Sequence, residues 1–131
     1  MGHAGVRILV VNDDTSMLGL LEQHLEKAGH QVLLAEDGVV AGQLASSTAP
    51  NLILVDVDMP YWNGYGLFQR LKADPLTRHI PVVFLTADRQ VQDGAPQLGA
   101  DACLRKPLKV DRLLEVVALL TIGAKPPRNA R

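Results

Sequence analysis

Five short apolar runs, separated by longer segments of helical character, constrain the fold of this chain more than any other feature. The runs are residues 8–11, 32–35, 52–55, 82–85 and 102–104. Apolar runs without polar alternation are typical of strands covered on both faces, as in the parallel sheets of α/β proteins. Strands joined by crossover helices pair in parallel through right-handed connections. The rhythm therefore predicts a (βα)5 doubly wound fold, a three-layer sandwich.

The segments between and after the runs have the apolar spacing of helices to different degrees. We predict helices over residues 16–28, 38–47, 65–73, 88–98 and 110–122. The first is the clearest, because apolar residues recur at helical spacing and Gly29 follows as a stop. The segment 88–98 contains Gly94 and Pro96, which both disfavour a helix interior. We expect that helix to be short or irregular.

Composition limits the class of protein. The chain has 131 residues, 47% of them hydrophobic, which suits one domain with a real core. Acidic and basic residues nearly cancel to a formal net charge of -1, so we expect neither direct nucleic-acid binding nor attachment to a membrane. The single cysteine, Cys103, and the absence of a basic-then-apolar leader favour a cytoplasmic protein.

Polar side chains follow four of the predicted strands. They are Asn12, Asp13 and Asp14 after the first strand, Asp56 after the third, Thr86 after the fourth and Lys106 after the fifth. Ligands of parallel α/β sheets bind beyond the carboxyl ends of the strands, where these residues would meet. Neighbouring carboxylates repel unless a cation lies between them, and hard oxygen ligands suit Mg²⁺. A cation, a lysine and a hydroxyl together favour phosphoryl transfer.

These motifs resemble the receiver domains of two-component response regulators, in the CheY-like superfamily. The resemblance extends from Arg7 to Thr121 and preserves the family order at nearly the family spacing. Its parts are Ile8-Leu9-Val10-Val11-Asn12-Asp13-Asp14, Asp56 with Met59-Pro60 and Asn63-Gly64, Phe84-Leu85-Thr86-Ala87, and Gly99-Ala100-Asp101 leading to Lys106-Pro107. The resemblance implies a flavodoxin-like fold with the strand order 2-1-3-4-5.

The resemblance also implies a role for each matching residue. Asp56 would accept a phosphoryl group from the phosphohistidine of a histidine kinase or histidine phosphotransfer protein. Asp13 and Asp56 would bind Mg²⁺ directly, with the backbone carbonyl of Asp58 as a third ligand. Thr86 would hydrogen-bond a phosphoryl oxygen, while Lys106 would pair with the phosphoryl group or with Asp56. The protein would then be a signalling switch rather than an enzyme, taking part in its own phosphotransfer and autodephosphorylation, and Lys106-Pro107 would be a cis peptide.

Three positions depart from the family pattern. Asn12 replaces the first acidic residue of the pair, so we expect it to reach the metal through water and Mg²⁺ to bind more weakly. Asp14 or Asp58 can offset part of the missing charge. Cys103 replaces the usual aromatic residue that accompanies movement of Thr86, and the interval before Gly99 is shortened. The change at Cys103 and the shortened interval leave the phosphorylation chemistry intact and put the usual output route in doubt.

Each site residue also has an ordinary structural explanation. Asp13 or Asp14 can cap the first helix, and we assign that role to Asp14. Thr86 can cap the segment that follows it, while Asp56 can be a solvated loop acid and Lys106 a surface lysine. We expect Cys103 to be a small buried hydrophobic residue rather than a reactive thiol.

Two other functions compete with the switch. The Asp56-Val57-Asp58 sequence resembles the DxD motif of haloacid-dehalogenase-type phosphatases, but those enzymes place an acidic metal pair after the lysine. Pro60 and the length of 131 residues also disfavour them. The second alternative is a pseudo-receiver, a protein-binding module with weak or no phosphorylation. Asn12, Cys103 and the irregular segment 88–98 motivate it.

The ends of the chain and the last helix bear on partners. We expect residues 1–6 to be disordered or tag-derived, residues 7–122 to form the receiver domain, and residues 123–131 to be a tail or the start of a linker. The last helix carries a core stripe of Val110, Leu113, Leu114, Val117 and Leu120, and a second stripe of Val116, Leu119 and Ile122. An exposed second stripe would allow dimerisation or docking of a downstream target or output domain; a covered one would only deepen the core.

Overall fold

A computed structural model describes residues 5–58, 64–90 and 99–124. In chain order its elements are β1 (Arg7–Val11), α1 (Thr15–Lys27), β2 (Gln31–Ala35), α2 (Gly38–Thr48), β3 (Leu52–Asp56), α3 (Gly64–Ala73), β4 (Val82–Thr86), β5 (Ala102–Arg105) and α4 (Val110–Leu120). The five strands pair in parallel in the order β2-β1-β3-β4-β5. This confirms the predicted fold class and strand order. Most of the predicted helix over 88–98 lies outside the described residues.

The core consists of two apolar layers, one on each face of the sheet. Alternate residues of a strand point to opposite faces, so Ile53 and Val55 join one layer while Leu52 and Leu54 join the other. Helices α2 and α3 supply the first layer, and α1 and α4 supply the second. This arrangement confirms the three-layer sandwich. It also explains why the central strands read as continuous apolar runs.

Helix termini are set by local polar residues. The Asp14 carboxylate accepts hydrogen bonds from the backbone N–H groups of Ser16 and Met17, as predicted for the N-cap of α1. The Asp37 carboxylate accepts a bond from Val40 at the start of α2 in the same way. Both helices are thereby held with their N-termini at the edge where β1 and β2 end.

Helix α4 divides the predicted second stripe. Val116 is buried and belongs to the core, which agrees with the alternative of a covered stripe at that position. Leu119 is 59% exposed and Ile122, just beyond the helix, is 78% exposed. Within the described ranges, no helix combines the length and the apolar character needed to cross a membrane.

Candidate functional site

Asp56 is the last residue of β3, in the middle of the sheet, and its side chain is almost fully buried. Both of its carboxylate oxygens accept hydrogen bonds. Oδ2 accepts from the Lys106 ammonium at 2.7 Å and from Asn12 Nδ2 at 3.0 Å, while Oδ1 accepts from the Asp58 backbone N–H at 2.7 Å. A buried carboxylate needs such partners to remain charged. These three donors hold the Asp56 carboxylate in one fixed orientation.

Lys106 reaches Asp56 from the end of β5. Its backbone N–H donates to the Thr86 carbonyl at 2.7 Å, which extends the pairing of β4 and β5 by one residue. The peptide bond between Lys106 and Pro107 is cis, as the family resemblance implied. Burial lowers the pKa of Lys106, but the hydrogen bonds and charges of Asp56 and Asp58 outweigh it and raise the pKa above its usual value. The lysine is a stable cation at the centre of the site.

Asp58 makes contacts that the sequence did not predict. Its carboxylate accepts hydrogen bonds from the Thr86 hydroxyl at 2.9 Å and from the Ala87 backbone N–H at 2.7 Å. It also lies 3.2 Å from the Lys106 ammonium. Burial raises the pKa of Asp58, yet the bonds from Ala87, Thr86 and Lys106 prevail, and the pKa falls below its usual value. The sequence predicts for Asp58 only a backbone-carbonyl ligand and an offset to the charge missing at Asn12.

The register of the sheet explains the contacts of Asp58. Asp56 lies opposite Leu85 in the β3–β4 pair, and the Val57 N–H donates to the Leu85 carbonyl at 3.0 Å. Asp58 consequently leaves β3 beside the end of β4, where Thr86 and Ala87 present their donors. Its position two residues after Asp56 is visible in the sequence, but the neighbouring donors are not.

The residues after β1 complete the edge. Asn12 is buried; its Oδ1 accepts from the Asp14 backbone N–H at 3.0 Å while its Nδ2 faces Asp56. Asp13 follows it with an exposed side chain. Of the predicted site residues, Asn12, Asp56, Thr86 and Lys106 are brought together through direct contacts or through Asp58.

The oxygen-rich side chains at this edge suit a hard cation. Within the described ranges, no group of three or more His, Cys, Asp or Glu side chains is arranged to hold a metal ion. The candidate ligands are two carboxylates, those of Asp13 and Asp56, and the Asp58 carbonyl. Magnesium is usually bound through one or two carboxylates and retains several waters. The residues therefore fit Mg²⁺ held partly by water, with Asn12 supplying an amide where a third carboxylate would add charge.

An aromatic cluster lies beneath the Thr86 end of the sheet. Phe84 packs edge-on against Tyr65 and Phe68, with ring centroids 5.2 Å apart in both pairs. Cys103 lies opposite Phe84 in the β4–β5 register and is buried, as expected of a small hydrophobic residue. Burial, followed by the charges of Cys103, Asp58 and Asp88, raises the pKa of Tyr65.

The Met59-Pro60 and Asn63 parts of the family motif, and Trp62, lie outside the described residues. The site as described thus consists of the ends of β1, β3, β4 and β5 and the residues directly after them.

A doubly wound sheet with the order 2-1-3-4-5, and a buried aspartate, a lysine and a threonine at its carboxyl edge, defines a receiver-type α/β protein. The profile of the response regulator receiver domain matches residues 8–118. The chain belongs to this family.

Relatives of known sequence agree with this assignment. The chain is 36% identical over 119 residues to protein PilH of Pseudomonas aeruginosa, covering 89% of this chain and 98% of PilH. It is 39% identical over 128 residues to the DNA-binding dual master transcriptional regulator RpaA of Synechocystis, covering 95% of this chain. The chain spans 53% of the length of RpaA and 26% of the response regulator PleD of Caulobacter vibrioides.

Solved structures show the same fold. The receiver domain of a signal transduction histidine kinase from Syntrophus aciditrophicus superposes with a TM-score of 0.80 at 33% identity, covering 97% of this chain and 98% of that one. The receiver domain of sensor histidine kinase PA1611 from P. aeruginosa, which has a magnesium ion coordinated in its active site cleft, gives a TM-score of 0.80 at 30% identity. That match covers 92% of this chain and all of the other.

Proposed function

We propose that this receiver domain accepts a phosphoryl group from a phosphohistidine onto Asp56 and thereby switches its interactions with other proteins. The observation that supports this most directly is the 2.7 Å contact between Lys106 Nζ and Asp56 Oδ2, which joins residues 50 positions apart. The Thr86 hydroxyl and the Ala87 N–H lie at the same edge, and both donate to the carboxylate of Asp58. A fixed anion beside a cation and two neutral donors is suited to phosphoryl transfer.

In the proposed step a carboxylate oxygen of Asp56 attacks the phosphorus of the phosphohistidine. The new O–P bond forms as the P–N bond breaks, and the imidazole nitrogen keeps the electron pair of that bond. Lys106, Thr86 and the Ala87 N–H would bind the oxygens of the transferred group, which carry most of the charge in the transition state. The product is an acyl phosphate on Asp56. Autodephosphorylation is the attack of water on the same phosphorus: a new O–P bond forms as the Asp56 O–P bond breaks, which returns the Asp56 carboxylate and releases inorganic phosphate.

Mg²⁺ would neutralise charge on the phosphoryl oxygens, held by Asp13, Asp56 and the Asp58 carbonyl, with Asn12 contacting a bound water. Because Asn12 and Lys106 both donate to Asp56 Oδ2, the protein itself stabilises part of the charge of this carboxylate. Phosphorylation adds negative charge to a site whose donors are now shared with Asp58. Redistribution of those donors would bias a two-state equilibrium toward the form that binds a target.

The partners follow from this chemistry. The donor is a histidine kinase or histidine phosphotransfer protein in the cytoplasm, and the receiver acts on a downstream protein or output domain. Dimerisation through the last helix stays a prediction, because Leu119 and Ile122 are exposed. The pseudo-receiver remains the competing proposal. Without a phosphoryl group, Asp56 already accepts a hydrogen bond from Asn12, and Thr86 already donates one to Asp58.

Beryllofluoride, which mimics a phosphoryl group on aspartate, tests the proposal when it is added with Mg²⁺ to the full ¹⁵N-labelled chain. We expect amide shifts concentrated at Asp56, Asp58 and Ala87, abolished in Asp56→Asn. Asp111→Asn, which removes an exposed carboxylate in the first turn of α4, should respond as the wild type does. Silence of the wild type at millimolar Mg²⁺ would favour the pseudo-receiver instead.

A further inference from the structure

The Asp58 side chain occupies the place where a phosphoryl group would meet its donors. The Thr86 hydroxyl, the Ala87 N–H and the Lys106 ammonium converge on its two carboxylate oxygens, at 2.9, 2.7 and 3.2 Å. The Thr86 hydroxyl is oriented further by the Asp88 N–H, which donates to its oxygen at 3.1 Å. Three donors on one anion form a complete anion-binding site.

The carboxylate can leave this site without unfolding the chain. Asp58 lies just beyond β3, and 33% of its side chain is exposed to solvent. Its backbone is held independently, because its N–H donates to Asp56 Oδ1 at 2.7 Å. Rotation about the side-chain bonds alone would therefore release Thr86, Ala87 and Lys106 while Asp56 stays in position.

We propose that Asp58 is an internal competitor for the phosphoryl site, which the incoming group must displace before Asp56 can be phosphorylated. This inference rests on the proposed function and names what regulates access to the same site. A ligand that binds only the fraction of molecules with the donors released has its apparent affinity reduced by that fraction. Asp58 is thus a positioning residue that keeps the unphosphorylated state closed to anions.

The test compares beryllofluoride binding in the full-length wild type, Asp58→Ala and Asp88→Ala. Asp88→Ala is the matched control, because it removes a carboxylate from the same edge while keeping the backbone donors of Asp88 and Ala87. Mg²⁺ affinity is measured first for each protein, and beryllofluoride is then titrated at saturating Mg²⁺. We expect Asp58→Ala to bind beryllofluoride roughly tenfold more tightly than the wild type, and Asp88→Ala to match the wild type.

The Ala87 amide resonance separates displacement from a general charge effect. In Asp58→Ala it should move before any ligand is added, because its acceptor is gone, and the saturated spectra of wild type and variant should then converge at Ala87. Asp58→Asn keeps an acceptor oxygen without the charge and should bind with intermediate affinity.

The possible failures are distinguishable. If neither the wild type nor Asp58→Ala binds beryllofluoride, the proposed function is overturned. If the wild type binds beryllofluoride and Asp58→Ala binds it equally or more weakly, only the proposal that Asp58 competes for the site is overturned. An equal gain in Asp88→Ala also overturns it, because loss of charge alone would then explain the effect.

Discussion

Asn12 changes how the charge of Asp56 is balanced. An acidic residue at position 12 would repel Asp56 unless a cation lay between the two carboxylates. The Asn12 amide instead donates directly to Asp56 Oδ2 at 3.0 Å. With Lys106 on the same oxygen, Asp56 Oδ2 has two donors in the metal-free site. We therefore expect Asn12 to weaken metal binding and to stabilise the metal-free protein.

Asn12→Asp tests this exchange. The added carboxylate should tighten Mg²⁺ binding about tenfold, and without metal it should lower the free energy of unfolding by about 1.5–3 kcal/mol, because a hydrogen bond to a charged group becomes a repulsion. Isothermal titration with Mg²⁺ and urea unfolding with a chelator measure the two effects. The control is Asn51→Asp, at the opposite edge of the sheet, where Asn51 accepts from the Arg7 N–H; this variant should leave Mg²⁺ affinity unchanged. If Asn12→Asp also left the affinity unchanged, Asn12 would have no effect on Mg²⁺ binding.

The charges of Asp58 and Lys106 define a pH window for the site. The pKa of Asp58 is lowered from 3.8, so its contribution to stability is present above that value and is lost as pH falls through the lower folded pKa. The pKa of Lys106 is raised from 10.5, so its contribution is complete below that value and is lost as pH rises through the higher folded pKa. Between these limits the two groups remain charged.

We expect Asp58→Asn to be less stable than the wild type at pH 7, and the difference between their unfolding free energies to shrink as pH falls below about 4. At low pH the wild-type carboxylate is protonated and resembles the amide. Urea unfolding with a chelator at a series of pH values measures the difference. A gap that stays constant down to pH 2 would contradict the assignment of this charge to the contacts of Asp58.

Helix α3 starts directly against the end of β3. A β-carbon at Gly64 would lie 3.1 Å from the Asp56 carbonyl oxygen and 3.2 Å from Val57 Cα. Both are backbone atoms of the segment that carries Asp56, and they cannot move away as a flexible side chain would. The glycine thus permits a close approach of helix to strand at the functional edge.

Gly64→Ala should therefore lower the free energy of unfolding by about 1–3 kcal/mol, the usual cost of overpacking. It should also displace the Asp56 and Val57 amide resonances. Gly42→Ala, inside α2 with no atom within 4 Å of the added carbon, should instead stabilise by about 0.5–1 kcal/mol through helix propensity. Chemical denaturation of both variants makes the comparison, and a stabilised Gly64→Ala would show that α3 tolerates a side chain there.

The burial of the strands forms a gradient across the sheet. Strands β3 and β4 are buried along their whole length, whereas β2 is an edge strand with only Ala35 fully buried. Edge strands pair on one side only and are more open to solvent. The site residues Asp56 and Thr86 therefore end the most protected strands.

Native-state hydrogen exchange should follow this gradient. We expect the amides of β3 and β4 to exchange only through global unfolding, with the amides of β2 exchanging faster through local opening. The measurement is exchange at low denaturant concentrations followed by NMR, with β1, which pairs on both sides, as the internal reference. Exchange of β2 as slow as that of β3 would contradict the gradient.

The sequence alone determined the strands, the parallel three-layer class and the presence of Asp56, Thr86 and Lys106 at one edge, because apolar runs and the direction of parallel strands are local and topological properties. It also identified Asp14 as a helix cap, a short-range interaction. Tertiary structure decided what the side chains contact. The burial of Val116 depends on how α4 rotates against the sheet, and the hold of Asp58 on Thr86 and Ala87 depends on the β3–β4 register. Contacts between residues about thirty positions apart have no signature in the spacing of a single sequence.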